Sequence, residues 1–342
     1  MKTVTVKDLK GFFTAISGEY GVYAPIEKAG VTDFRKWNGE EVDTDVLKTA
    51  KSAKNLFFPQ VENLMNFKTD GRSIEVKQNE LMNETFVIFG VRACDAKAFE
   101  VLDRVFLADP VDAFYKARRD HGTVVGLTCN EPEESCFCTN FGIDATAPAN
   151  CDVVATKTAD GFVMRAVSEK GEALLAKANA ADATADDLAK VDELAAKSKE
   201  ITAKLPFNNL DLGYFENTDE KEIFFDKRWD EVYKGCLACG TCTFVCPTCQ
   251  CFDVRDFKAD DKIIRYRCWD SCMYSDFTQM AHGNNRNDQK QRFRQRFMHK
   301  LVYYPANNDG LYSCVGCGRC VEKCPQKLNI VKVIKKMGGK NE

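Results

Sequence analysis

The run Phe86-Val87-Ile88-Phe89-Gly90-Val91 is apolar without alternation, the pattern of a strand covered on both faces. Asp95-Ala96-Lys97-Ala98-Phe99-Glu100-Val101-Leu102 follows, with Phe99 and Leu102 three apart and Asp95 placed to cap a helix. Thr123-Val124-Val125-Gly126-Leu127 then reads as a second buried strand. Strand, helix, strand in this order predicts a parallel crossover unit, and with it an α/β N-terminal domain. Residues 168–204, rich in Ala, Lys, Glu and Asp, predict one or two covering helices that end before Pro206, a spacer without chemistry. Nearer the C-terminus, 275–281 and 288–303 look helical, and Phe293, Phe297 and Leu301 share one face of the second segment.

No apolar run approaches the roughly 20 residues of a membrane span, and the opening Met1-Lys2-Thr3-Val4 lacks a signal-peptide pattern. Lys+Arg is 48 against 51 Asp+Glu, so a net charge of -3 gives no global pull toward nucleic acid or anionic membrane. What changes the picture is the 17 cysteines among 342 residues. Their odd number and the plain N-terminus speak against a disulfide-stapled secreted scaffold. A reducing, cytoplasmic setting leaves metal ligation or redox chemistry as the reason for so many thiols.

The cysteines divide the chain. None precedes Cys94; Cys94, Cys129, Cys136 and Cys138 lie in a middle stretch, Cys151 stands alone, and 152–235 has none. Twelve crowd between Cys236 and Cys324. Residues 1–215 are accordingly expected to form the α/β domain and 216–342 a second one.

In the second part, Cys236-Leu-Ala-Cys239-Gly-Thr-Cys242-Thr-Phe-Val-Cys246-Pro247 recurs as Cys314-Val-Gly-Cys317-Gly-Arg-Cys320-Val-Glu-Lys-Cys324-Pro325. Both read C-x2-C-x2-C-x3-C-P, in which three thiolates on a tight turn reach one cubane and the fourth ligates the other. That crossing predicts one [4Fe–4S] cluster on Cys236, Cys239, Cys242 and Cys324, and a second on Cys314, Cys317, Cys320 and Cys246. Gly240 and Gly318 are expected to let backbone approach the inorganic sulfides. Structural zinc, the rival, does not ordinarily need this four-cysteine run with its proline twice over. The 67 residues between the runs, with helices read into them, predict an α-helical dicluster ferredoxin-like domain.

Cys94 lies just past the first buried strand, and Cys129, Cys136 and Cys138 just past the second. Parallel strands put those ends on one sheet edge, so these four thiols are candidates for a third cluster. Buried, redox-idle cysteines are the rival reading, and Cys151 has no evident partner. Between the runs stand Cys249, Cys251, Cys268 and Cys272, for which packing beside the clusters is the favoured reading. The segment from Arg286 to Lys300 carries Arg286, Lys290, Arg292, Arg294, Arg296 and Lys300 against Asp288 alone. Charge compensation for anionic clusters and a solvated face rank above docking of an acidic partner, and nucleic acid comes last. His121, His282 and His299 form no metal-ligand spacing, and no dinucleotide fingerprint or P-loop is present. No flavin or nucleotide site is therefore recognised, and no catalytic residue is assigned.

The chain resembles the iron–sulfur β subunit of cytoplasmic sulfhydrogenases and the corresponding iron–sulfur subunit of anaerobic sulfite reductase. The resemblance rests on Phe57-Phe58-Pro59 with Glu62-Asn63-Leu64, on Val87 to Asp95 with its Arg92-Ala93-Cys94-Asp95, on Leu102-Asp103-Arg104-Val105-Phe106 and on Cys136-Phe137-Cys138. It continues through Cys246-Pro247-Thr248-Cys249-Gln250-Cys251-Phe252, Trp269-Asp270-Ser271-Cys272 and His299-Lys300; 150–215 carries none of it. It implies an anaerobic relay subunit between a flavoprotein exchanging hydride with NAD(P)H and a catalytic subunit of hydrogenase, sulfite reductase or bifurcating transhydrogenase type. It also supports Cys94, Cys129, Cys136 and Cys138 as ligands. Cys249, Cys251 and Cys272 match family positions and Cys268 does not. The alternative is a self-sufficient reductase with a substrate or flavin site near Cys94 and Cys129.

Overall fold

The computed structural model describes residues 2–69 and 71–338; of the opening segment, Met1 lies outside them. An eight-stranded mixed sheet runs in the order Ala181–Asp182, Thr3–Val6, Gly161–Ala166, Val153–Thr158, Gly122–Leu127, Phe86–Arg92, Gly21–Lys28, Val31–Lys36. Its centre is parallel: Phe86–Arg92 pairs with Gly21–Lys28 on one side and Gly122–Leu127 on the other, and the latter pairs with Val153–Thr158. The crossover between the two apolar strands is the helix Ala93–Phe106 followed by Ala113–His121, as the strand-helix-strand pattern predicts.

The unbroken apolar run is explained by cover on both faces. Val87 and Phe89 join a core with Phe13, Ile16, Leu174 and Leu175, from the helices Leu9–Ile16 and Glu169–Ala176. Phe86, Ile88 and Val91 point the other way, to Phe57, Phe99, Leu102 and Tyr115. Phe89 and Val91 fall on opposite faces although two apart, because the register shifts between them at Gly90. Gly90 takes φ +90°, where an added Cβ would stand 3.1 Å from Pro25.

Asp95 is not the expected helix cap. The strand runs straight into the helix, with Arg92 at the cap position, and Asp95 lies in the first turn. The spacer is two helices, Glu169–Ala176 and Ala185–Ala203. The first is more than a cover, since Leu174 and Leu175 are in the core.

The segment between the cysteine runs departs from the helical expectation. It opens with a hairpin, Phe252–Ala259 and Lys262–Trp269, turning at Asp260, whose φ is +54°. This hairpin continues antiparallel onto Val61–Thr69 and Ile74–Gln78 as a four-stranded sheet. The division expected at 215 is thus bridged by a sheet drawing two strands from each side. Leu212 and Phe215 likewise pack with residues as distant as Ile334. The outer positions Val61, Ile74, Val76, Val254 and Phe257 are exposed. Nor is 275–281 a helix. Asp276–Thr278 is a single 3-10 turn, and Gln279–Met280 pairs with Gly283–Asn284. Asn284 closes this small loop, accepting from the Thr278 hydroxyl at 2.6 Å and donating to the Ser275 carbonyl at 2.7 Å. The segment 288–303 is helical, Gln289–Met298 continued by a wider π turn at His299–Tyr303. Among the described residues no helix is long and apolar enough to cross a membrane.

Candidate metal centres

Cys236, Cys239, Cys242 and Cys324 line one cavity of about 440 Å³, mouth included, with Met273, Phe293 and Phe297 as its apolar wall. Two of these sulfurs already accept backbone N–H groups, Cys236 from Ala238 at 3.4 Å and Cys324 from Leu328 at 3.2 Å. Such bonds are among the means by which a protein sets the potential of a bound cluster. Cys239 is exposed, which puts this end of the cysteine series at the surface.

The next set lies deeper. Cys246, Cys314, Cys317 and Cys320 are close enough that the Cys246 charge acts on each of the other three. Burial pushes the Cys314 thiol up to about 11 and the Cys317 thiol up to about 12, while Lys300 and Arg319 respectively pull them back. Thiols in this state ionise only against a strong local positive charge, which a bound metal provides.

The strand-edge set is brought together by packing. Cys94 stands on the first turn of its helix, and Cys129 follows the strand Gly122–Leu127. Cys136 and Cys138 come from the loop beyond, where Cys138 opens a 3-10 turn. Burial raises Cys138 to about 12, with the charges of Cys129 and Cys136 adding to it. Burial also raises Cys94, which senses Asp95, Cys317 and Cys138. Cys94 and Cys138 thus abut the deep set, sharing one apolar cluster with Val315 and Cys317.

The contact between these two sets is backbone on backbone. The Phe137 N–H donates to the Gly316 carbonyl at 3.0 Å. A Cβ on Gly316 would stand 2.4 Å from the Phe137 oxygen, and one on Gly318 2.5 Å from the Ser135 oxygen. A Cβ at Gly318 or Gly240 would meet protein, Ser135 and the Tyr274 ring respectively. Gly318→Ala, at φ +80° and against that carbonyl, is expected to destabilise the chain by at least about 1–3 kcal/mol. The expected readout is a lower thermal midpoint; an unchanged midpoint would refute it.

Three buried cations, missed as a group by sequence reasoning, stand among the C-terminal thiols. Arg296 donates from Nη1 to Cys249 Sγ at 3.2 Å and from Nη2 to the Cys242 carbonyl at 2.7 Å. Lys300 donates to Thr248 Oγ1 at 2.8 Å and to the Ser313 carbonyl at 2.7 Å. Lys54 donates to the Cys249 carbonyl at 2.6 Å and lies 4.0 Å above the Trp269 ring. Burial depresses the Lys54 ammonium to about 8, against the pull of Cys249 and Cys246. None of the three makes an ion pair with a carboxylate among the described residues, and Arg296 Nε has no partner. Thiol donors facing unpaired buried cations fit an anionic iron–sulfur cluster, because its charge supplies the missing counterion.

Lys290 and Arg294 of the same segment are engaged within the chain. Lys290 pairs with Asp230 at 2.7 Å, and Arg294 stacks 3.5 Å over Phe224. Arg296 and Lys300 were expectable as basic residues, but Lys54 belongs to no pattern. Two cysteines stay apart: Cys151 donates to the Pro148 carbonyl at 3.1 Å, and Cys268 sits on a strand beside Arg255 and Asp253.

Known proteins agree with this chemistry. A family model described as a 4Fe-4S dicluster domain matches residues 235–328. Sulfhydrogenase 2 subunit beta of Pyrococcus furiosus is 31% identical over 337 residues, covering 94% of each chain. No solved structure matches.

Proposed function

Because the chain belongs to the family of sulfhydrogenase β subunits, we propose that it relays single electrons between a flavoprotein subunit linked to NAD(P)H and a catalytic redox subunit of a cytoplasmic complex. Three [4Fe–4S] clusters are assigned to it, on Cys236, Cys239, Cys242 and Cys324, on Cys314, Cys317, Cys320 and Cys246, and on Cys94, Cys129, Cys136 and Cys138. The observation that carries this reading is their succession. Cys239 is exposed, Cys242 of the outer set lies four residues before Cys246 of the deep one, and Cys317 packs in one cluster with Cys94 and Cys138.

Bound clusters supply one-electron chemistry at potentials set by charge, hydrogen bonds and burial. The chain's residues do the rest. Phe293, Phe297 and Met273 keep water from the outer set, and Arg296, Lys300 and Arg319 balance thiolate charge. The exposed apolar positions on both faces of the four-stranded sheet are of the kind that subunits cover in assemblies.

A second reading has an observation of its own, an open cleft lined by Arg92, Thr128, Asn130 and Lys157 at the strand ends near Cys129. It would suit a bound substrate or flavin. Against it, Arg92 is committed to the carbonyls of Thr44, Val46 and Thr128.

Anaerobic reconstitution separates the two. The isolated chain should accept electrons from dithionite yet show no NAD(P)H- or hydrogen-linked turnover, and Cys136→Ser should lose about four irons relative to wild type. Robust turnover without partners would favour the cleft.

A further inference from the structure

We propose that Cys249, Cys251 and Cys272 hold a further iron–sulfur cluster on three thiolates, beside the buried cations Lys54, Arg296 and Lys300. This goes beyond the three-cluster reading and rests on it only in leaving Cys246 to the deep set.

The hairpin explains why these thiols meet. Cys249 and Cys251 precede its first strand and Cys272 follows its second. Phe252 is paired with Trp269, and the Asp270 N–H donates to the Cys251 carbonyl at 3.0 Å. Closing the hairpin therefore lays a C-x-C pair beside the segment that carries a cysteine twenty-odd residues later. There Cys251 is tied by its carbonyl to the residue two before Cys272, and Arg296 holds the Cys249 sulfur at 3.2 Å. Cys268 is excluded by the same hairpin, since it lies within the second strand opposite Asp253.

Packing alone does not account for this group. Idle thiols buried among apolar side chains need no counter-charge, whereas these sit with three buried cations that lack carboxylate partners among the described residues. Lys54 and Arg296 both bond Cys249 directly, one at its carbonyl and the other at its sulfur. Arg296 Nε and the buried Ser313 hydroxyl remain without hydrogen-bond partners. An isolated buried charge is costly and an unmet buried donor adds to that cost. Arg296 and Lys300 also serve Cys242 and Cys314 of the assigned sets, but Lys54 and one Arg296 N–H are directed at Cys249, which belongs to neither. A further anionic centre there balances them. Three thiolates leave one iron of a cubane to a non-cysteine ligand, so this centre would differ from the other three in coordination.

The test uses the full chain, reconstituted anaerobically with iron and sulfide, and counts clusters by native mass spectrometry. Four clusters are expected, and the variant Cys249→Ser/Cys251→Ser/Cys272→Ser should lose about three to four irons together with one EPR signal of the dithionite-reduced protein. Retention of the wild-type iron count in that variant would overturn the proposal. So would zinc as the metal lost. A wild-type chain carrying only three clusters, one of them lost in Cys136→Ser, would overturn it without the triple variant, which covers the case in which that variant fails to fold. The two readings fail separately, because Cys136→Ser reports on the strand-edge set alone. Iron unchanged in Cys136→Ser but lost in the triple variant would remove the third cluster and keep this one.

Discussion

Replacing Asp95 with Asn is expected to destabilise the folded chain by about 3–5 kcal/mol, the cost of breaking a buried ion pair from one side. Arg319 grips both carboxylate oxygens of Asp95, at 2.5 and 2.7 Å, and the two side chains are 3% and 2% exposed. Arg319 stands between Cys317 and Cys320, and Asp95 directly follows Cys94. The pair therefore ties the crossover helix to the C-terminal cysteine loop. With the carboxylate replaced by an amide, Arg319 keeps one acceptor oxygen there besides the Thr49 carbonyl at 3.0 Å and hydroxyl at 3.2 Å, but loses its counter-charge. The double variant Asp95→Leu/Arg319→Met should recover most of the loss, because no buried charge is left over. Urea denaturation of the anaerobic chain measures both. A single-variant loss below about 1 kcal/mol, the range of exposed pairs, would show that the pair does not hold the two parts together.

Lys300→Met is expected to lower the reduction potential of the centre proposed on Cys246 and Cys314. A unit charge removed from several ångströms away changes the energy of an added electron by about 2–4 kcal/mol at an effective dielectric near 20. For a one-electron couple that is a downward shift on the order of 100 mV. The sign follows from the ammonium favouring the more negative, reduced state. Lys300 is buried, with its ammonium on Thr248 and the Ser313 carbonyl, so solvent screens it little. Methionine nearly preserves the volume and removes the charge, and Lys300→Arg keeps the charge. A redox titration followed by EPR should move with the first and stay near wild type with the second. Equal shifts in both variants would point to disturbed packing rather than to charge.

Charge reversal at Arg292 and Arg296 illustrates how structure changes the reading of a segment. By sequence the two are equivalent members of a basic run. In the fold Arg292 donates to the Arg286 carbonyl at 2.9 Å, while Arg296 is buried against Cys242 and Cys249. Reversal at Arg296 would report on thiolate charge and folding, not on partner docking.

Much of the N-terminal sheet was legible because its evidence is local. A buried parallel strand needs apolar side chains on both faces, and Phe86 to Val91 displays that directly. The hairpin at Phe252–Trp269 left a signal too, in the alternation of Phe252-Asp253-Val254-Arg255 and the Asp260-Asp261 turn. It was obscured by the expectation of helices between the binding loops. Asp95 was recognised as special for the wrong reason, since its partner Arg319 is 224 residues away.

The sequence by itself determined the grouping of thiols within each loop. In C-x2-C-x2-C the chain is too short to separate its sulfurs, so spacing alone dictates their proximity. It determined the α/β crossover for the same reason, through periodicity read over a few residues. Only the tertiary structure decided which loops meet: Cys94 with Cys138 and Cys317, Cys251 with Cys272, and Lys54 with Cys249. Those encounters depend on strand order and on the closing of a hairpin. Both are consequences of burying many side chains at once, which no short window of the chain records.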